Sequence, residues 1–362
     1  MSSIFFTVTT DLSYDQRMIR ICTTLANAGY DVTLVGRQIQ SSITLKEQPF
    51  KQKRLYCIFE KGKLFYAEYN MRLFFFLLFK KMDGICAIDL DTIVPCYWIS
   101  RIKKIKRIYD AHELFCEMKE IVTRPGIYKI WKWIEQKTVP HFKDAYTVNQ
   151  PIADEFLKMY GRHFEVIRSI ALYDEDRQTD EKEKFILYQG AVNEGRSFET
   201  LIPAMQLVNA PLVICGEGNF TDQAKKLVED LHLQDKIIFK GMLAPAELRL
   251  ITNKAYIGIT LFEKEALSNY YSLANRFFDY IHSAVPQLCV NYPVYEEINN
   301  LEEIAVLIDN LDSITIATAL NELLNNEDHW QQLHQNCKTA SKIFNWQKEE
   351  IKLIAFYKNI FG

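Results

Sequence analysis

The chain has 362 residues, of which 48% are hydrophobic and 25% charged, proportions that exclude wholesale disorder. The length fits about two domains, and none of the eight cysteines stands in a C-x-x-C pair, which argues against a zinc ribbon or a dithiol redox site. The formal net charge is −3, yet residues 1–170 carry 26 Lys+Arg against 18 Asp+Glu, and the remainder 17 against 28. A basic first half suits a polyanionic acceptor or an anionic membrane surface. No helix-turn-helix, zinc finger or RNA-binding signature accompanies the charge, so nucleic acid is not an expected partner.

In chain order, Ile4–Thr9 is a β-rich run after a start with no signal-peptide pattern. Met18, Ile21, Cys22, Leu25 and Ala28 then share one face of a helix ending at Gly29, and DVTLV at 31–35 is the next strand. This is a β-α-β unit. The apolar run FFFLLF at 74–79 is too short to span a bilayer. It reads as a core helix over 73–81, or as a surface helix on a membrane. A strand at 84–88, a helix at 92–99, a strand at 106–109, the strand AYTVN and a helix at 152–160 follow. The run RIKKIKR at 101–107 is either a solvated helix end leading into a strand or a membrane-facing patch.

Residues 173–184, YDEDRQTDEKEK, are polar and aperiodic and read as part of a linker over 171–184. Beyond it, strands at 185–190, 212–215, 237–240, 256–261, 287–290 and 304–308 alternate with helices. Short apolar strands between helices predict parallel sheets covered on both faces. The fold class is therefore α/β, with two Rossmann-like domains over 1–170 and 185–343. Ligands are expected at the carboxyl ends of the strands.

Those strand ends hold the candidate chemistry. After FILYQG comes Ala191-Val192-Asn193-Glu194-Gly195-Arg196, a turn feeding a helix, where backbone N–H groups and a guanidinium suit a phosphate. Gly216-Glu217-Gly218-Asn219 after LVIC is a second loop that a ligand can approach closely. No P-loop occurs. Ser268, Asn269 and Ser272 precede a helix predicted over 273–283, whose free N-terminal N–H groups favour a diphosphate. Asp279, two turns in, is by itself either an exposed acid on a capped helix or a carboxylate able to grip a ribose diol through two hydrogen bonds. D-L-D at Asp89–Asp91 follows a strand of the first half and reads as a coincidence rather than a metal motif.

Six segments, DQRMIRICTTLANAGYDVTLVGR, YDAHELF, YQGAVNEGRSFETLI, VICGEG, SNYYSLANRFFDYIHSAVP and NWQKEEIKLIAFY, together resemble family 4 of the retaining glycosyltransferases. The resemblance implies a GT-B fold, two Rossmann-like domains facing a central cleft, with a C-terminal helix over 344–362 crossing back to the N-terminal domain. It implies that Asp279 is the ribose-binding acid and that Arg196 is the second member of a diphosphate-gripping basic pair. The pair's first member has no basic counterpart in 191–193, and the family's first glutamate is replaced by Tyr271. His112 is implied at the donor sugar, and Arg17, Glu113 and Glu117 on the acceptor side. The donor site is expected to draw on Gly190, Asn193, Gly216, Glu217, Gly218, Met242, Asn269, Ser272, Leu273 and Asp279, with His112 and Arg196 catalytic.

The expected activity is metal-independent transfer of a sugar from a UDP- or GDP-type nucleotide-sugar to a glycan or lipid-linked acceptor, in polysaccharide or glycoconjugate synthesis. The nucleotide-sugar is a co-substrate, and no cofactor is expected. The expected location is cytoplasmic, peripheral on the inner membrane face. Two alternatives stay open: a nucleotide-sugar epimerase of the same fold, and a non-catalytic binding subunit.

Overall fold

A computed structural model describes residues 1–13, 15–40, 42–175 and 178–362. The chain divides into two compact units, Met1–Ser169 with Glu349–Gly362, and Ile170–Lys348.

The first unit runs β1 (Ser3–Thr7), α1 (Gln16–Asn27), β2 (Asp31–Gln38), β3 (Lys51–Tyr56), α2 (Gly62–Leu78), β4 (Gly84–Ile88), α3 (Ile93–Lys103), β5 (Lys106–Ala111), α4 (Lys119–Val122), α5 (Pro125–Thr138), β6 (Asp144–Thr147), α6 (Gln150–Tyr160) and β7 (Glu165–Val166). Its seven strands pair in the order β3-β2-β1-β4-β5-β6-β7, all parallel. β4 is wholly buried because helices cover both faces of the sheet, which is why its sequence is continuously apolar. β3, by contrast, pairs only with β2 and reads KQKRLY. A charged edge strand resists pairing with other chains, and for the same reason it carries no apolar signal in the sequence.

The core-helix reading of FFFLLF holds for one stripe of α2. α2 begins eleven residues before the predicted start, and Tyr69, Leu73 and Leu77 are buried on its inner stripe. Phe75 and Phe79 are exposed. RIKKIKR spans the last turn of α3, a left-handed Lys104 (φ 57°) and the opening of β5.

The second unit runs β8 (Glu183–Gln189), α7 (Phe198–Ala204), β9 (Leu212–Cys215), α8 (Thr221–Asp230), β10 (Ile237–Gly241), α9 (Pro245–Lys254), β11 (Ala255–Thr260), α10 (Leu267–Tyr270), α11 (Asn275–His282), β12 (Gln287–Val290), α12 (Pro293–Leu301), β13 (Ala305–Ile308), α13 (Ser313–Asn325) and α14 (Glu327–Ile343). Its sheet order is β10-β9-β8-β11-β12-β13. Of the expected linker, residues 176 and 177 lie outside the described residues. Its last two residues belong to β8 instead, where Glu183 pairs with Lys254 at 2.8 Å. A charged strand opening looks like a linker because it projects beyond the covering helices.

The last helix, α15 (Trp346–Phe361), completes the first unit. Tyr357 is fully buried against Phe6 and Tyr146, with ring centroids 5.9 and 6.4 Å away. Phe361 lies over Gly84, where an added Cβ would meet its ring at 2.3 Å.

In each sheet the order of strand addition reverses once, between β1 and β4 in the first unit and between β8 and β11 in the second. Such switch points open a crevice beyond the strands' carboxyl ends, and ligands bind there.

Candidate active site

At the second unit's switch point, the loops after β8 and β9 lie in direct contact. Gly216 (φ 142°) passes so close that a Cβ there would stand 1.9 Å from the Gly190 carbonyl oxygen. The Asn193 side chain accepts from Asn219 N at 3.1 Å, and a Cβ at Gly218 would collide with it at 2.2 Å. Asn193 thus holds the two loops together rather than standing free for a ligand. Glu217, Gly218 and Met242 are solvent-exposed along the same loop rim.

The helix predicted over 273–283 begins at Asn275, and Ser268 and Asn269 lie in the separate turn α10 rather than in a loop. A break at 271–274 separates the two, with Ser272 and Leu273 half-buried. Tyr295 OH accepts from Ala274 N at 3.1 Å, and α11 opens without a side-chain cap. Its first N–H groups have no partners within the helix, so the positive end of the helix dipole is available to an anion.

Two guanidiniums converge on this end. Arg196 donates to Asn269 Oδ1 at 3.3 Å and lies 4.5 Å from the Phe262 ring centroid. Arg276, in the first turn of α11, lies at the same 4.5 Å from that ring and 4.6 Å from the Tyr188 ring. It reaches only neutral oxygens, Tyr188 OH at 3.3 Å and the Gln189 and Leu261 carbonyls at 3.5 Å. Its Nε is buried without a partner. A Cβ on Gly190 would meet Arg276 Nη1 at 3.3 Å, so the guanidinium faces the loop after β8. A buried cation held only by neutral groups favours a bound anion. The sequence reading missed Arg276. Its one signal was a cation at a core position of an amphipathic helix, three residues before Asp279.

Asp279 is half-buried one turn further on and accepts from Gln189 Nε2 at 3.1 Å. Gln189 in turn accepts from Thr252 Oγ1 at 2.7 Å, so the acid's orientation is fixed from β8 and α9 together.

The first unit's switch point gathers a separate charge cluster. Asp89 and Asp91 follow β4, and Asp110 and His112 lie at the end of β5. His112 Nδ1 is 3.3 Å from Asp89 Oδ2, and its Nε2 is 3.3 Å from Asp110 Oδ2. Burial and the Arg17 charge oppose protonation of His112, but the two carboxylates outweigh them and raise its pKa. Burial pushes Asp91 up to about 7, helped by Asp89, although Thr9 donates to it at 2.5 Å. Asp89 of the D-L-D sequence flanks the imidazole and accepts from His112 N at 2.8 Å. Among the described residues, no group of three or more His, Cys, Asp or Glu is placed to hold a metal ion.

Arg17 is not a surface residue. It is buried and donates from Nη2 to Asp110 at 2.6 Å, with Nε and Nη1 enclosed and unpartnered. Glu113 is half-buried beside His112 in sequence. Glu117 is engaged with Lys132 at 3.0 Å, and Lys132 also reaches Glu135 at 2.8 Å.

The architecture is that of the GT-B glycosyltransferases. Over all of this chain and 99% of the other, it superposes on sucrose-phosphate synthase from Thermosynechococcus elongatus with a TM-score of 0.78 at 15% identity. It also superposes on Anabaena HepE, solved in complex with UDP and glucose, with a TM-score of 0.77 at 12% identity over 99% of this chain and 100% of that one. Residues 170–342, nearly all of the second unit, match the family Glycosyl transferases group 1. A stretch of 139 residues is 25% identical to the O-antigen chain mannosyltransferase RfbU of Salmonella typhimurium strain LT2. That stretch is 36% of this chain and spans about two fifths (39%) of that relative's length.

Proposed function

We propose that this protein is a retaining glycosyltransferase that moves a sugar from a nucleotide-diphosphate donor to a glycan or lipid-linked acceptor in polysaccharide synthesis. The observation that carries the reading is the convergence of Arg196, Arg276 and the open end of α11 on one switch point, with Asp279 a turn beyond. A departing nucleoside diphosphate develops charge at its bridging oxygen. Preorganised guanidiniums and N–H groups stabilise that charge without reorganising. Arg276 takes the place of the basic residue that the loop after β8 lacks. Asp279, oriented by Gln189, holds the ribose diol. Because two fixed cations serve the leaving group, transfer is proposed to be metal-independent.

The loop rim at Gly190, Gly216–Gly218 and Met242 offers backbone groups to a base of the UDP or GDP type. Asn193, Asn269, Ser272 and Leu273 shape the floor. In the first unit, His112 is held for the donor sugar by Asp89 and Asp110. Glu113 serves the acceptor, with Arg17 and Glu117 acting through Asp110 and Lys132. The mannosyltransferase relative and the UDP-bound HepE structure support this class of donor. The partners proposed are the nucleotide-sugar, the acceptor and an anionic membrane surface on the cytoplasmic side. No helix is long and apolar enough to cross a membrane among the described residues.

A thermal-shift panel of UDP-, GDP-, ADP- and dTDP-sugars tests the reading, because only ligands of the folded state raise the midpoint. Donor consumption is then compared with and without acceptor, and with and without chelator. A flat panel overturns the proposal; acceptor-independent consumption turns it into an epimerase or hydrolase.

A further inference from the structure

The helices of the first unit return the chain to the amino-terminal edge of its sheet, opposite the edge that carries Asp89, Asp110 and His112. There, between the starts of β5 and β6, lies an open cavity of ≈ 380 Å³. Lys106, Arg107, Lys143 and Arg162 line it, with His141 and a single acid, Asp144. Among the described residues none of the four cations is ion-paired, and Arg162 Nε is buried without a hydrogen-bond partner. Burial, together with the like charge of Arg101, lowers the Arg107 pKa. A second cavity of ≈ 310 Å³ shares Ile105 with the first and adds Lys80, Lys81 and Lys103 with one acid, Asp83.

Helix C-termini attract cations, and that accounts for Lys103 in the last turn of α3. It does not account for Lys106, Arg107 or Lys143, which open or precede strands. An apolar rim adjoins them. Arg107 and His141 both contact the Tyr97 ring, at 5.5 and 5.3 Å, and Tyr97 contacts Trp98 at 5.4 Å. Trp98 is 50% exposed, Ile102 one turn on is 55% exposed, and Phe79 beside Lys80 is 81% exposed.

We propose that this edge docks on an anionic membrane surface, with a lipid phosphate headgroup in the cationic cavity and Trp98, Ile102 and Phe79 in the interface. The inference deepens the membrane-surface reading above and rests on it. Asp144 offsets part of the charge of Lys106 and Lys143, and the remaining excess of cations supplies attraction to the anionic leaflet, while aromatic side chains among basic ones supply insertion. A lipid surface is favoured over free phosphate because the exposed apolar residues adjoin the charged cavity. The acids of the opposite edge would be held away from a surface of their own sign.

Flotation with phosphatidylglycerol/phosphatidylcholine vesicles, against phosphatidylcholine alone, tests it. The full chain should float with the anionic vesicles at low salt and be released at high salt. Lys106→Glu with Lys143→Glu should weaken recruitment at least tenfold. Trp98→Ser should weaken it without removing the salt dependence. Absence of flotation, or equal flotation of the double variant, overturns the proposal. So does calorimetric binding of inorganic phosphate without vesicle recruitment. The nucleotide-sugar thermal shift, run on the same proteins, reads the second unit separately. If it is flat while vesicles bind, the glycosyltransferase reading fails and the docking edge stands.

Discussion

Arg196 and Arg276 place their guanidinium carbons at the same distance, 4.5 Å, from the centre of the Phe262 ring. They are therefore at most twice that distance apart, although eighty residues of chain separate them. Arg276, buried among neutral oxygens near this second guanidinium, favours a bound anion beside it. Arg276→Gln should weaken binding of the nucleoside diphosphate by about 1.5–3 kcal/mol, the range for hydrogen bonds to charged groups. The unliganded protein should keep its thermal midpoint or gain from it. Isothermal calorimetry with the cognate diphosphate checks this, and unchanged affinity would remove Arg276 from the site.

Arg196→Ala should lower turnover by about 10²–10³, the loss seen on removing one preorganised donor from a developing charge. Initial rates at saturating donor measure it. A change of a few-fold only would mean that Arg276 and α11 carry the leaving group by themselves.

Asp279→Ala should cost the nucleotide about 1.5–3 kcal/mol of affinity through the lost ribose contact. Gln189→Leu offers a separate reading. It removes the donor that orients Asp279 but leaves the carboxylate, so it should weaken binding by less. Equal losses in the two variants would point to a packing defect instead.

The first unit should become less stable as pH rises from about 4 through about 7, as far as Asp91 is concerned. Its folded-state pKa lies above the ordinary carboxylate value. Stability is then fully present below the unfolded pKa and lost as pH rises through the folded one. Asp91→Asn should leave stability unchanged near pH 4 and raise it by on the order of 1–3 kcal/mol near pH 8. Urea titrations at the two pH values decide it. His112, whose pKa is also raised, acts with the same sign: its contribution fades as pH rises through that raised value.

His112→Asn should reduce turnover while leaving the affinity for free nucleoside diphosphate within about twofold, because the proposed contact is to the sugar. Calorimetry and rate measurements on one preparation separate the two effects.

Buried parallel strands announce themselves as short apolar runs, so β4, β9 and β12 stand out in the sequence as GICAI, LVIC and QLCV. β3 does not, because only one neighbour pairs with it and its charged residues face water. α5 carries exposed Ile130 and Trp133, which blur its amphipathic pattern. Among the residues proposed for the site, Arg196 and Asp279 drew notice from their places after a strand and within a helix. Arg276 was not, because its meaning depends on Tyr188 and Phe262 closing over it from other strands. The contact of Asp89 with His112 was not legible, since only the packing of β4 against β5 brings His112 between Asp89 and Asp110.

The return of α15 to the first unit has a consequence for how the protein is made. Domains generally fold as they leave the ribosome, the earlier one first, at about 5–20 residues per second. Here the Tyr357 ring that fills the space beside Phe6 and Tyr146 is synthesised only after the whole of the second unit. The second unit, contiguous from Ile170 to Lys348, has all its strands before that ring exists. Order of completion is thus inverted relative to order of synthesis. For on the order of tens of seconds, the nascent first sheet therefore waits without the rings that α15 packs beside Phe6, Tyr146 and Gly84.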